Sequence, residues 1–292
     1  LVAAAGTIAG VGVAAIKSAN DVDKAMNQYI ASTGKGTEET ERYKSVMESI
    51  YANNYGDSFE DIGEAMASVS QNLGDLDDSA LQSVTESAFA LRDTFGYDIP
   101  ESTRAAKAMV DNFGISGDEA MSLIAAGAQN GLDYSGELID SISEYSVQFA
   151  KVGLDANDMF NIFQKGAESG AFNLDKVGDA VKEMAIRVVD GSDTTVAGFE
   201  AIGLNADDMA KKFAAGGDTA KAAFNETISA LAAMEDPIAQ NTAGVNLFGT
   251  MWEDLGADAV TALAGIEDGA YDTGEAMKSI KDIKYNDIGS VF

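Results

Sequence analysis

Three times along the chain one seven-residue pattern recurs: Phe113-Gly114-Ile115-Ser116-Gly117-Asp118-Glu119, Val152-Gly153-Leu154-Asp155-Ala156-Asn157-Asp158 and Ile202-Gly203-Leu204-Asn205-Ala206-Asp207-Asp208. The order is an apolar residue, glycine, Ile or Leu, a capping residue, a small residue, an acid or amide, then an acid. Each position has a physical task. The glycine ends a helix in the left-handed conformation, and the Ile or Leu packs back on the last turn. Ser116, Asp155 and Asn205 are suited to cap the next helix, because a short side-chain oxygen can accept from its free amides. The acids then fall in the first turn, where the positive end of the macrodipole favours them. Phe95-Gly96-Tyr97-Asp98-Ile99-Pro100-Glu101 is a variant, with Pro100 at an allowed early helical position. The pattern predicts short helices joined by sharp corners and argues against one continuous coiled coil.

Between the corners the periodicity is helical. Tyr43, Val46, Met47, Ile50 and Tyr51 share a stripe. Phe59, Ile62, Met66, Val69 and Leu73 follow alternating steps of three and four, as do Leu81, Val84, Ala88, Leu91 and Phe95. The two sets are offset by about 22 residues, which predicts a helical hairpin. No strand alternation is sustained. Two prolines among thirty glycines, with much Ala, Met, Glu and Lys, point the same way. The expected fold is all-α: short helices with Gly-capped corners, packed as hairpins or a bundle, behind a Gly/Ala-rich apolar N-terminal helix. The expected division is an apolar helix over 1–30, a helical core over 31–260 and a helical or partly irregular tail over 261–292.

Composition removes whole reaction classes. Without histidine there is no imidazole base, no Ser-His-Asp triad and no HExxH metal site. Without cysteine there are no disulfides, thiolate nucleophiles or Cys-ligated zinc. Forty-eight acidic residues against nineteen basic ones leave a formal net charge of −29, the wrong sign for phosphate binding, so no specific nucleic-acid partner is expected. High solubility is the plainer consequence of the same charge.

The first residues, LVAAAGTIAGVGVAAI, form an apolar run from Leu1 to Ile16. As a helix it would be about 24 Å long, short of a bilayer core of roughly 30 Å. Gly6 and Gly10 form a GxxxG, which allows close helix contact in lipid. A buried Ala/Gly-rich helix of an oligomer is the favoured reading, and the end of a longer membrane-competent segment is the other. A chain opening at Leu1 is expected to come from something longer.

Several local motifs fall short. Glu168-Ser169-Gly170 has the Glu-Ser pair of lysozyme-like transglycosylases without the elements that should follow, so a helix end is expected there. Asp75, Asp77 and Asp78 begin like a calcium loop but lack its glycine and distal glutamate. Asp190-Gly191-Ser192-Asp193 reads as a turn with an N-cap, and Gly10-Val11-Gly12 lacks the strand a dinucleotide site needs. No cofactor is expected.

With their flanks, the corners resemble the conserved core of bacteriophage tail tape measure proteins, the phage-related minor tail proteins. Four stretches carry the resemblance in order: Phe113 to Leu132; Glu144 to Phe149 with the VGLDANDMF that follows at 152–160; Gly170 to Asp190; and FGTMWEDLG, Phe248 to Gly256, with the sole tryptophan. With the N-terminal run, the resemblance covers about residues 1–260. It implies a structural protein that extends in the tail tube, sets tail length and leaves ahead of the DNA. It implies self-association, as a trimer, and contact with tail-tube, tail-tip and assembly-chaperone proteins, with the host membrane as a further contact. The implied locations are the virion tail lumen, the host cytoplasm during assembly and the envelope during ejection. No catalytic residue comes with it. The competing readings are a membrane-active translocation component, motivated by residues 1–16, and a peptidoglycan hydrolase resting on Glu168 alone.

Overall fold

The computed structural model describes residues 19–261, 263 and 270–285. The apolar run with Gly6 and Gly10 lies outside the described residues. Among them every regular element is helical. They fall into two compact units: residues 1–107 with 275–292, and residues 108–274. The second is thus inserted, in sequence, into the first.

The first unit contains α1 (residues 19–33), α2 (Thr40–Ala52), α3 (Phe59–Leu73) and α4 (Asp78–Phe95). It also takes the start of α5 (Ile99–Phe113). Helices α2, α3 and α4 pack mutually, burying Tyr43, Met47 and Ile50 against Ile62, Met66, Leu81, Val84 and Phe89. Helices α3 and α4 therefore form the hairpin that their matching periodicities imply. The buried α2 stripe ends short of Tyr51, which is 47% exposed, with its ring 4.4 Å from that of Phe59. Ser58 and Asp77 cap α3 and α4, accepting from the amides of Asp61 and Ala80. Helix α1 is tied to α3 by Tyr29 and Ser70, whose hydroxyls lie 2.9 Å apart, and by Gln71, which donates to the Ser32 carbonyl.

The second unit runs through α6 (Gly117–Gln129), α7 (Leu138–Lys151), α8 (Ala156–Glu168), α9 (Leu174–Arg187), α10 (Asp193–Ala201), α11 (Ala206–Ala215), α12 (Gly217–Ala232), α13 (Pro237–Phe248), α14 (Met251–Leu255) and α15 (Ala257–Thr261). Helix α9 is the hub, touching α7, α8, α13 and α14. A last helix, α16 (Ala276–Tyr285), returns to the first unit and lies on α4.

The closest crossings use glycines inside helices. A Cβ on Gly178 of α9 would stand 2.2 Å from the Tyr145 ring of α7, one on Gly166 of α8 would stand 2.5 Å from Val177, and one on Gly244 of α13 would stand 2.1 Å from the Trp252 indole. Gly127 meets Phe160 in the same manner, and Gly198 meets Leu247. A helix-interior glycine ordinarily costs up to about 1 kcal/mol against alanine. Here the missing methyl is what lets an aromatic or branched side chain lie on the backbone. Gly178→Ala is therefore expected to destabilise the chain by about 1–3 kcal/mol in urea denaturation, as overpacking does. Combined with Tyr145→Ala, it should cost less than the sum of the two single changes.

Candidate functional site: the helix corners and the α9 seam

The four corner glycines have φ of +78° (Gly96), +72° (Gly114), +80° (Gly153) and +78° (Gly203). Their closures are of two kinds. At Gly153 and Gly203 the following leucine donates five residues back, Leu154 to the Phe149 carbonyl and Leu204 to that of Phe199. At Gly96 and Gly114 the glycine amide donates to Arg92 and Val110. The first kind is the Schellman closure and the second the simpler left-handed one. Two further corners close in the Schellman manner: Leu132 after Gly131 donates to Gly127, and Ala171 after Gly170 donates to Gly166.

Ser116, Asp155 and Asn205 each cap the next helix, accepting from the amides of Glu119 (3.2 Å), Asp158 (2.9 Å) and Asp208 (3.0 Å). Glu119 and Asp158 reach back to the amides of Ser116 and Asp155, so the first two are full capping boxes. The amide and hydroxyl of Ser116 hold the Glu119 carboxyl below its ordinary pKa.

The Gly153 corner carries more than a turn. A Cβ there would stand 2.2 Å from the Gly217 carbonyl and 2.6 Å from the Lys221 amide, so the first turn of α12 is seated on bare backbone. Here both the positive φ and the close approach require glycine. Asp158, whose side chain is 2% exposed, is 3.0 Å from Lys221 Nζ. Burial raises its pKa above 3.8, with the Asp155 amide and Lys221 acting in the opposite sense.

Helix α9, which carries the third of the stretches singled out in the sequence, touches the helices of the second and the fourth. The Tyr145 hydroxyl donates to Asp175 (2.6 Å) and Asp179 (2.9 Å), and burial together with these carboxylates raises its pKa. Lys182 lies 5.7 Å over the Tyr145 ring and 3.2 Å from Glu144. From the other side, Lys176 Nζ is 2.7 Å from Asp254 of α14. Buried Trp252 donates through its indole N–H to Asn241 Oδ1 at 2.9 Å. Helix α6 packs on α7 and α8, which carry the second stretch. Tyr271 closes this core, accepting from Asn130 Nδ2, donating to Gln164 Oε1 and lying 5.3 Å from Phe160. Local reading of the sequence does not find these partners. The available signal is the set of glycines in the middle of otherwise strong helices.

The weaker motifs within the described residues have local structural work, and Gly10-Val11-Gly12 lies outside those residues. Asp75 pairs with Lys35, Asp77 caps α4 and Asp78 pairs with Arg42. Ser192 caps α10. Glu168 ends α8, half exposed, and Gln164 and Lys165 hold its pKa below 4.5, opposite to what a general acid needs.

What the geometry defines is a helical packing module: its buried polar groups pair with helix ends and neighbouring helices. Residues 49–249 match the family described as phage-related minor tail protein, and the chain belongs to that family. It is thus a structural phage tail protein. Among curated relatives it is 30% identical, over 186 residues, to a "probable tape measure protein" of Streptomyces phage phiC31. That match covers 61% of this chain and 26% of the relative. It is 28% identical over 272 residues to the "uncharacterized protein YqbO" of Bacillus subtilis (strain 168), covering 88% of this chain and 17% of the relative. The chain therefore spans about a quarter or less of these relatives. No solved structure matches.

Ser116→Ala is expected to cost about 1 kcal/mol of stability, the usual worth of an N-cap, readable by thermal or urea melting. Asp158 gives a pH signature. A carboxyl whose folded pKa lies above its unfolded value makes the fold more stable as pH falls through the folded value, with the gain complete below about 3.8. Relative to Asp158→Asn, the unchanged chain should gain melting temperature across that interval. A melting-temperature difference that stays constant, or that shifts in favour of Asp158→Asn as pH falls, would contradict the burial assigned to Asp158.

Proposed function

We propose that this chain is an internal, folded segment of a bacteriophage tape measure protein. The observation that supports this best is that the four tape-measure-like stretches pack as one connected set, the second and fourth directly on α9 and the first on the second, in a chain that belongs to the minor tail family. In this reading the whole protein extends in the tail tube during assembly in the host cytoplasm and sets tail length. It then leaves ahead of the DNA and helps the genome cross the envelope. A net charge of −29 suits a protein that must share the tube with DNA without adhering to it.

The corners give this segment a particular place in such a protein. A ruler gains length from uninterrupted helix at about 1.5 Å per residue. Here short helices end at left-handed glycines at Gly114, Gly153 and Gly203, and in this reading the segment serves assembly and packing in the tail and is not the ruler itself. Phe172, 85% exposed in the third stretch, and exposed Ile186 and Val189 at the far end of α9 supply apolar surface for tube, tip, chaperone or sister copies, with a trimer as the self-assembled state. Among the described residues no helix is long and apolar enough to cross a membrane. In this reading membrane contact during ejection falls to the apolar run of residues 1–16.

In-frame removal of residues 108–274 from the full-length gene tests the reading, with tails counted and measured by electron microscopy. Assembly is expected to fail or to yield few tails. Tails shortened by about 250 Å, the helical length of that segment, would make it part of the ruler. Normal tails in normal number would overturn the proposal.

A further inference from the structure

Helix α16 completes a bundle that the chain began long before. Its anchors gather at its last turn. The rings of Tyr285 and Tyr55 stack with centroids 3.8 Å apart, and the Tyr285 hydroxyl donates to Asp93 Oδ2 at 2.7 Å. Lys284 Nζ donates to the Asp93 carbonyl at 2.8 Å, placing a cation at the negative end of α4. Asn54 Nδ2 donates to the Tyr285 carbonyl at 3.2 Å, and Lys281 Nζ to that of Ser83 at 3.3 Å. Met277 and Ile280 supply the buried apolar face.

Connectivity gives this attachment a mechanical meaning. Residues 19 and 285 both belong to the first unit, while residues 108–274 lie between them in sequence and form the second. With α16 docked, tension between the two ends is carried through the contacts of α16 with α4 and Tyr55. The second unit comes under load once those contacts part. A ten-residue helix has little stability of its own once detached, so release would be followed by unravelling.

We propose that α16 is a mechanical clasp, which keeps residues 108–274 out of the load path while docked and transfers tension to them when it opens. Among the described residues Tyr285 is the anchor nearest the C-terminal end, so a pull from that side meets its stacked and hydrogen-bonded contacts before those of Lys281. The clasp follows from topology and the α16 contacts, and it stands or falls separately from the tail role.

The full chain has no cysteine, so Leu1→Cys with Phe292→Cys allows handles to be attached at its two ends for optical tweezers. The expected trace has a small first step as α16 leaves, followed by separate later steps. One or more of these release residues 108–274, roughly 550–600 Å of chain at about 3.3–3.6 Å per residue. Tyr285→Ala should lower the first-step force and speed opening on the order of tenfold or more, as loss of a hydrogen bond to a charged group does, with the force of the later steps unchanged. Lys284→Ala, a milder change, should act in the same direction if Tyr285→Ala disturbs the first unit as a whole. A first step that already releases residues 108–274, a single rip of the whole chain, or variants that leave the first step unchanged would overturn the clasp.

Discussion

The ring of Tyr145 lying on the bare backbone of Gly178 is the contact on which the second unit depends. It brings α7 and α9 together closely enough for one hydroxyl to serve two carboxylates on successive turns of α9. Val177, next to that glycine, fills the place left by Gly166 of α8, so consecutive residues of α9 engage two different helices. Fourteen residues cannot bury much surface by length alone. They do so here by letting neighbours come nearer than a methyl group would permit, and the aromatic area gained offsets the helix propensity lost.

Two kinds of glycine thus share the chain, and they differ in how openly they can be read. The corner glycines are legible because all that determines them is adjacent: an apolar residue before, a leucine or isoleucine after, and a capping oxygen next. Ser116, Asp155 and Asn205 find their partners within three residues. The crossing glycines are illegible in the same terms, because what makes Gly178 necessary is a tyrosine 33 positions earlier in the sequence. Gly153 belongs to both kinds, and only its left-handed turn is visible locally; the seat it offers α12 is not.

The same distinction explains the helical periodicities. Repeats of three and four identify the buried faces of α3 and α4 without saying what covers them, and adjacency in sequence supplies the answer for a hairpin. For α16 adjacency misleads. The Asp93 carboxylate that receives Tyr285 is 192 residues away, and nothing in the spacing of Met277, Ile280 and Lys284 points to it. Asp158 shows the limit for charge: its place as the last acid of a corner implies a solvated first turn, whereas packing buries it beside Lys221.

The return of α16 also orders events at the ribosome. Residues 108–274 are contiguous and can complete their contacts once residue 274 has left the exit tunnel, whereas the first unit lacks its closing helix until residue 285 follows. During that interval Tyr55 and the α4 surface that will receive Tyr285 stand uncovered, although the chain that forms them was made first. The unit that begins the sequence is the one that finishes last.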